Sequence, residues 1–395
     1  MATAQSTKPP LWRDIRVLRV AGQILFVIAA VVVFQQIWLN LEYNYSRQGI
    51  DSGFGFLGSR SGFQISESVL DYGPNKRYQD VIVAGLANTV FLIAIPGVIL
   101  ASILGLLVGI GRLSTNWIVR KLSQVYVEVL RNTPVLVLII IFYVAVVLAL
   151  PRVENGWKIP GLMHLSQRGM AITFPKAQQG FVAWLVILIV GFVIARLVRA
   201  WRVRLNEATG ESTHPFLFFL GTFLLFAIGG AFALGGPIMI EVPQVTRFGY
   251  QGGFQGSGRL AGILFPLAFY TSAFIAEIIR GSIQAVAKGQ KEAAEALGLR
   301  PMQQLRLVVL PQALRIALPP INSQYLNLTK NSSLAIAVGF SDLASVMKTV
   351  INQSGRSFQA ILILVGLYLG LSLVISFVMN LFNRAVTAKG ERRSG

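Results

Sequence analysis

Apolar positions along this chain gather into eight long blocks divided by polar connectors rich in lysine and arginine. A hydropathy window of about 19 residues places them near 21–41, 86–110, 127–150, 181–198, 216–234, 260–279, 316–339 and 360–381. A helix needs about 20 apolar residues to cross a hydrocarbon core of roughly 30 Å. The pattern therefore predicts an all-α integral membrane protein with about eight transmembrane helices. The first block follows a basic stretch from Lys8 to Arg19, as a secretory signal would. Its apolar run is too long for one and no small-residue cleavage site follows, so an uncleaved anchor helix is expected.

Charge then sets the orientation, because lysine and arginine resist translocation in short loops. With the N-terminus inside, cytoplasmic segments hold Lys8, Arg13, Arg16 and Arg19, then Arg112, Arg120 and Lys121, then Arg196, Arg199, Arg202 and Arg204. They continue with Arg280, Lys288, Lys291, Arg300, Arg306 and Arg315, and end with Arg384, Lys389, Arg392 and Arg393, so that most of the 35 basic residues lie inside. Asp51, Glu67, Asp71 and Asp80 cluster outside. The formal charge of +19 is thus mainly a topology signal with both termini cytoplasmic, and nucleic acid is set aside as a partner. Only 13% of residues are charged, against roughly a quarter in soluble domains, and mean hydropathy is +0.63, so most of the surface faces lipid.

Cysteine is absent, which excludes disulfides and thiolate chemistry; with two histidines, His164 and His214, both in connectors, no metal site is expected. Two outer segments are long, 42–80 and 151–180. The first carries Gly53, Phe54, Gly55, Phe56 and Leu57, which either lie at headgroup depth or pack on the bundle.

The stretch from Lys288 to Pro311 is the most informative. Gln290 to Leu297 are strong helix formers, and Gly298 sits where a left-handed cap would end that helix. Pro301 is placed to open a second short helix and Pro311 to limit it. A cytoplasmic helix, a glycine turn and a second helix are predicted.

These residues resemble the cytoplasmic signature of ABC importer permease subunits: Glu-Ala-Ala, three residues, Gly, nine residues, an aliphatic residue, one residue and Leu-Pro. Here Glu292, Ala293, Ala294, Gly298, Val308, Leu310 and Pro311 keep every interval. Further stretches are similar to the polar amino-acid branch of that family. They are Gly85 to Val90, Glu128 to Pro134, Ala276 to Gly281 and Leu328 to Leu334, with Leu138 departing where relatives often have glutamine. The outer Gly/Phe loop and the extra spans look most like the general L-amino-acid and glutamate/glutamine/aspartate/asparagine permeases.

The resemblance implies a type I importer permease fold, with an N-terminal anchor and outer loop over 1–84, a permease domain over 85–384 carrying extra helices at about 151–240, and a cytoplasmic tail over 385–395. It implies location in the bacterial inner membrane. It also implies a second, homologous permease subunit, two ABC ATPase subunits that bind ATP and Mg, and a periplasmic amino-acid-binding protein. Lys288, Gly289, Glu292, Ala293, Ala294, Gly298, Leu310 and Pro311 would form the ATPase-coupling element.

Charged and polar residues inside the spans are candidates for the translocation path. Glu128 and Arg131, like Glu277 and Arg280, are three apart and could pair on one helix face, with Thr133 beside the first pair. Lys330 has no acid within a helical turn and lies among Asn327, Asn331, Ser332 and Ser333. It is expected either to meet a substrate carboxylate or to join a helix-helix patch with Glu277 or Glu128. Pro96, Pro134, Pro266, Pro319 and Pro320 are expected either to break helices or simply to kink them.

No phosphate-loop motif, Gly-x-Ser-x-Gly elbow or His-Glu-x-x-His helix occurs, so the chain is expected to be no enzyme and to bind no cofactor itself. A secondary amino-acid transporter working without an ATPase is the alternative. It offers no reason for the Glu292 to Pro311 spacing.

Overall fold

The computed structural model describes residues 14–47, 49, 53–210, 214–246 and 249–391. Lys8, Arg13, Asp51, Arg392 and Arg393, whose charges bear on the orientation, lie outside these residues. Among the described residues six helices are long and apolar enough to cross a membrane, and eight spans result if each of two bent helix pairs counts as one.

Helix α1 (Ile15–Arg47) is exposed along its length. Its outer end touches the start of the last helix, where Trp38 meets Phe358 edge-on at 5.8 Å and Tyr45 Oη donates to Gln359 at 3.3 Å. The next span joins α2 (Tyr78–Ala87), a π-helical stretch (Asn88–Ala94) and α3 (Ile95–Gly111). Next come α4 (Trp117–Asn132) and α5 (Val135–Phe142), the latter extended by a π turn to Val147.

An excursion on the outer side then intervenes. Strands β1 (Trp157–Ile159), β2 (Met163–Ser166), β3 (Gly169–Ile172) and β4 (Phe174–Ala177) precede a helical hairpin of α6 (Phe181–Thr209) and α7 (Pro215–Ala233). Strands β5 (Ile238–Glu241), β6 (Gln244–Thr246), β7 (Gly249–Gln251) and β8 (Phe254–Ser257) follow it. β3 pairs with β8, Gly169 opposite Ser257, and β4 with β5, Phe174 opposite Glu241. The hairpin is thus closed at its outer base by strands from both sides, which the hydropathy pattern did not anticipate.

The bundle is completed by α8 (Gly258–Gln284), α9 (Lys288–Ala296), α10 (Pro301–Gln304), α11 (Leu310–Asn331), α12 (Leu343–Ser354) and α13 (Ser357–Glu391). Its core is the contact between α3 and α8, with α11 against both. Gly97, Ala101, Gly105 and Gly109, four residues apart, are all buried on α3. A Cβ at Gly105 would lie 2.6 Å from Ile275 Cγ2, and one at Gly109 3.0 Å from the Ala276 carbonyl. Small residues let the two backbones approach, the usual source of helix association in lipid.

Pro134 breaks the helical run as expected, whereas the other prolines do not. The block at 127–150 is no single straight span: α4 and α5 meet at 106°, with Thr133 extended ahead of Pro134, as the residue before proline prefers. Pro266, Pro319 and Pro320 lie inside continuous helices. Pro96 and Pro311 each follow a π turn. Ile95 N–H donates to Val90 and Leu310 N–H to Leu305, each five residues back. Widening the turn accommodates a residue that lacks an N–H and crowds the preceding carbonyl. Pro311 therefore does not limit the second short helix, which continues from Pro301 to Val338.

Candidate functional site

The cytoplasmic helix-turn-helix forms as its residues dictate. Gly298 has φ of +73°, its N–H donates to the Glu295 carbonyl at 2.8 Å, and Leu299 N–H donates to Ala294 at 3.1 Å. These two bonds constitute a Schellman cap, which needs a residue free to adopt the left-handed region. Pro301 opens α10 behind Arg300, whose N–H donates to Gln303 Oε1 at 2.9 Å.

On α9 only Ala294 is buried; Lys288 and Glu292 pair on its exposed face at 3.6 Å, and Gly289 and Ala293 are also exposed. Ala294 packs α9 toward the foot of α11, where Gln312 Nε2 also donates to Gln290 Oε1 at 3.1 Å. Val286, Val309 and Ala313 form a small core beside it. Leu297 is 80% exposed and Met302 72% exposed, so the turn presents large apolar side chains on the cytoplasmic side. Paired exposed apolar side chains of this kind are a feature of interaction surfaces.

A second constellation lies at the inner ends of α3, α4 and α8. Glu277 pairs with Arg280 at 2.5 Å as its spacing predicts, but it also accepts from Arg112 and lies 4.0 Å from Arg131. Three guanidinium groups from three helices surround one carboxylate. Arg131 additionally rests over the Phe274 ring at 5.2 Å. The expected Glu128–Arg131 pair is absent among the described residues, because Arg131 is engaged with Glu277 and Phe274 of α8. Glu128 instead accepts from Gln124 at 2.7 Å. Thr133 Oγ1 donates back to Val129 O at 2.8 Å and finishes α4. Arg112 was not singled out by sequence, since 165 residues separate it from Glu277.

The polar residues of α11 do not act as one patch. Ser332 is buried, donates to Thr329 O at 2.8 Å and approaches Tyr368 Oη at 3.4 Å, while Ser333 donates to Lys330 O at 2.8 Å. Asn331 is half-buried. Ser323, Asn327 and Lys330 are exposed, and no ion pair joins Lys330 to Glu277 or Glu128 among the described residues. The expected cross-bundle pairing therefore fails, because Glu277 is already occupied by arginines. An exposed polar face on a spanning helix belongs against protein or water, not lipid.

On the outer side, Asn88 and Thr89 knit three segments together. Asn88 is fully buried, accepts from Val69 N–H at 3.0 Å, and donates to the carbonyls of Glu67 and Ser341, each at 2.8 Å. Thr89 Oγ1 accepts from Leu343 N–H at 2.9 Å, beside the buried N-cap Asp342 of α12. Phe56 is buried against Tyr78, so the Gly/Phe loop packs on the bundle.

Residues 97–388 match a family described as the binding-protein-dependent transport system inner membrane component. The chain is 41% identical to the general L-amino acid transport system permease protein AapQ of Rhizobium johnstonii, over 91% of this chain and 90% of that protein. It is 38% identical to the putative amino-acid ABC transporter permease protein YhdX of Escherichia coli, over 92% and 93%. It is 35% identical to the glutamate/glutamine/aspartate/asparagine transport system permease protein BztB of Rhodobacter capsulatus, over 94% and 93%.

Proposed function

Because this chain belongs to the family of binding-protein-dependent transport system inner membrane components, we propose that it is the permease subunit of an ATP-driven importer that carries polar L-amino acids across the bacterial inner membrane. The observation that carries the reading is the Schellman-capped turn at Gly298, exposing Leu297 and Met302 and running into one helix from Pro301 to Val338. An ATPase subunit holding that turn would grip the foot of the helix that displays Asn327 and Lys330. ATP and Mg would bind that partner, and a periplasmic binding protein would deliver the substrate.

The exposed polar face of α11 supports a path lined jointly with a second, homologous permease. There the Lys330 ammonium and the Asn327 amide would meet the carboxylate of a passing amino acid. Alternating access needs ligands that favour one of two states, and nucleotide on the ATPase would supply that bias through the turn. The amino-acid class rests on the relatives named above.

The test is purification from native membranes, with mass spectrometry of co-purifying subunits and an ATPase assay. A second permease and a phosphate-loop ATPase stimulated by amino-acid-loaded binding protein are expected; a lone chain indifferent to nucleotide would favour a secondary transporter. Lys330→Met is expected to slow uptake without uncoupling the ATPase, and unchanged uptake would remove the substrate contact.

A further inference from the structure

The α6–α7 hairpin packs chiefly on itself: Gly191 fits against Phe226, Gly230 against Ile187, and Phe192 meets Phe219 and Phe223 edge-on. Its outer end is held by the β4–β5 pair and by Lys176 on Glu241 at 3.1 Å. At its cytoplasmic end, α6 carries Arg196, Arg199, Arg202 and Arg204, and none of them forms an ion pair among the described residues.

Their depth is the telling feature. The contacts of Gly191 with Phe226 and of Ile187 with Gly230 set the antiparallel register, and place Arg202 level with Pro215 and Arg196 level with Gly221. Arg196 therefore lies about 9 Å inside the cytoplasmic end of α7. That helix has 19 residues and, at about 28 Å, only just spans the hydrocarbon core. Arg202 lies over the Phe218 ring at 3.8 Å and beside Trp201, and its Nε is buried without a hydrogen-bond partner. Unpaired guanidinium groups at this depth need an anion, and arginine offers a planar fork that suits phosphate.

We propose that Arg196, Arg199 and Arg202 form a binding site for the phosphate of an anionic phospholipid in the inner leaflet. The lipid takes the place of the absent carboxylate. Its phosphodiester oxygens accept from Arg196 and Arg199, its acyl chains lie along exposed Leu197 and Val193, and Arg202, stacked on Phe218, closes the site. This pins the cytoplasmic end of a hairpin otherwise anchored at its outer base.

The test uses the chain purified with its accompanying subunits in nanodiscs of phosphatidylcholine, with and without phosphatidylglycerol. Retained lipid is read by native mass spectrometry, and cleavage of the α6–α7 loop by limited proteolysis. Phosphatidylglycerol is expected to co-purify and protect the loop, and Arg196→Gln and Arg199→Gln each to weaken retention roughly fivefold, in line with one arginine's attraction to an anionic surface. Lysine at the same positions should keep part of the retention. Equal retention by the glutamine variants, equal protection by phosphatidylcholine, or full protection by inorganic phosphate alone would each overturn the lipid site. If one glutamine variant fails to insert, the other decides the question.

Discussion

Gly298→Ala adds one methyl group where nothing lies within 4 Å of it and where φ is +73°. Its cost therefore comes from the backbone and not from a clash within the chain. An L-residue in the left-handed region costs roughly 1–2 kcal/mol relative to glycine, whereas asparagine is better tolerated there. That energy disfavours the Schellman turn by about 5- to 30-fold against competing turns. The bonds from Gly298 to Glu295 and from Leu299 to Ala294 fix the angle between α9 and α10, so losing them misplaces the apolar pair Leu297 and Met302. ATP-driven uptake of labelled glutamine or glutamate by vesicles, normalised to the amount of inserted complex, is expected to rank glycine above asparagine, asparagine above alanine, and alanine above valine. Insertion should be unchanged in all four. Full activity with alanine and none with asparagine would refute the reasoning, since side-chain size at the partner surface, not the left-handed turn, would then govern coupling.

Glu277→Gln leaves Arg112, Arg131 and Arg280 without their shared carboxylate and should cost of order 2 kcal/mol, whereas Arg131→Gln, removing the 4.0 Å contact, should cost under half that; a thermal melt in detergent ranks them. Gly105→Ala forces a Cβ to within 2.7 Å of Ile275 Cβ and should cost about 1–3 kcal/mol, while Gly366→Ala, inside α13 with open space around it, should stabilise by roughly 0.5–1 kcal/mol in the same melt. Glu67 is held above the usual carboxylate range by burial, despite hydrogen bonds from Ser257 and the nearby Arg259. The folded chain then binds this proton more tightly than the unfolded one, so its contribution should increase as pH is lowered from neutrality through the folded value toward the usual range. Glu67→Gln should flatten that part of the profile, and an opposite slope in the unaltered chain would remove the claim.

The spans were legible because a bilayer accepts few solutions: a helix must be long, apolar and bounded by charge on the inner side. The Gly298 turn was legible for a different reason, since Gly298 and Pro301 constrain backbone angles locally, whereas Pro311 is absorbed by a π turn. What escaped was non-local or too short to carry a period. Strands of three or four residues, such as β6 and β4, are exposed throughout and show no alternation. The π turns before Pro96 and Pro311 have no residue signature beyond the proline itself. Arg112 meets Glu277 only through the packing of α3 on α8. That packing did have a sequence signal, the four-residue spacing of Gly97, Ala101, Gly105 and Gly109, which reads as a helix-helix contact once it is sought.

The same features bear on how a cytoplasmic movement would reach the outer side. Between Pro301 and Val338 the backbone stays helical, because the π turn at Leu305 to Val309 absorbs Pro311 without a break. A displacement of α10 would therefore be passed to α11 along an unbroken helical backbone. α4 and α5, by contrast, meet at 106° across Thr133 and Pro134, so movement at α4 need not reach α5. The arginine cluster on Glu277 joins α4 to α3 and α8 below this break, and the glycine stripe locks α3 to α8 above it. A cytoplasmic push should thus shift α11 against the rigid α3–α8 pair, along the contact where Leu328 meets Gly97. Gly97→Ala would tighten that sliding contact to 3.1 Å, so it should slow transport more than it alters stability. A loss of stability matching the loss of uptake would place Gly97 in the static core instead.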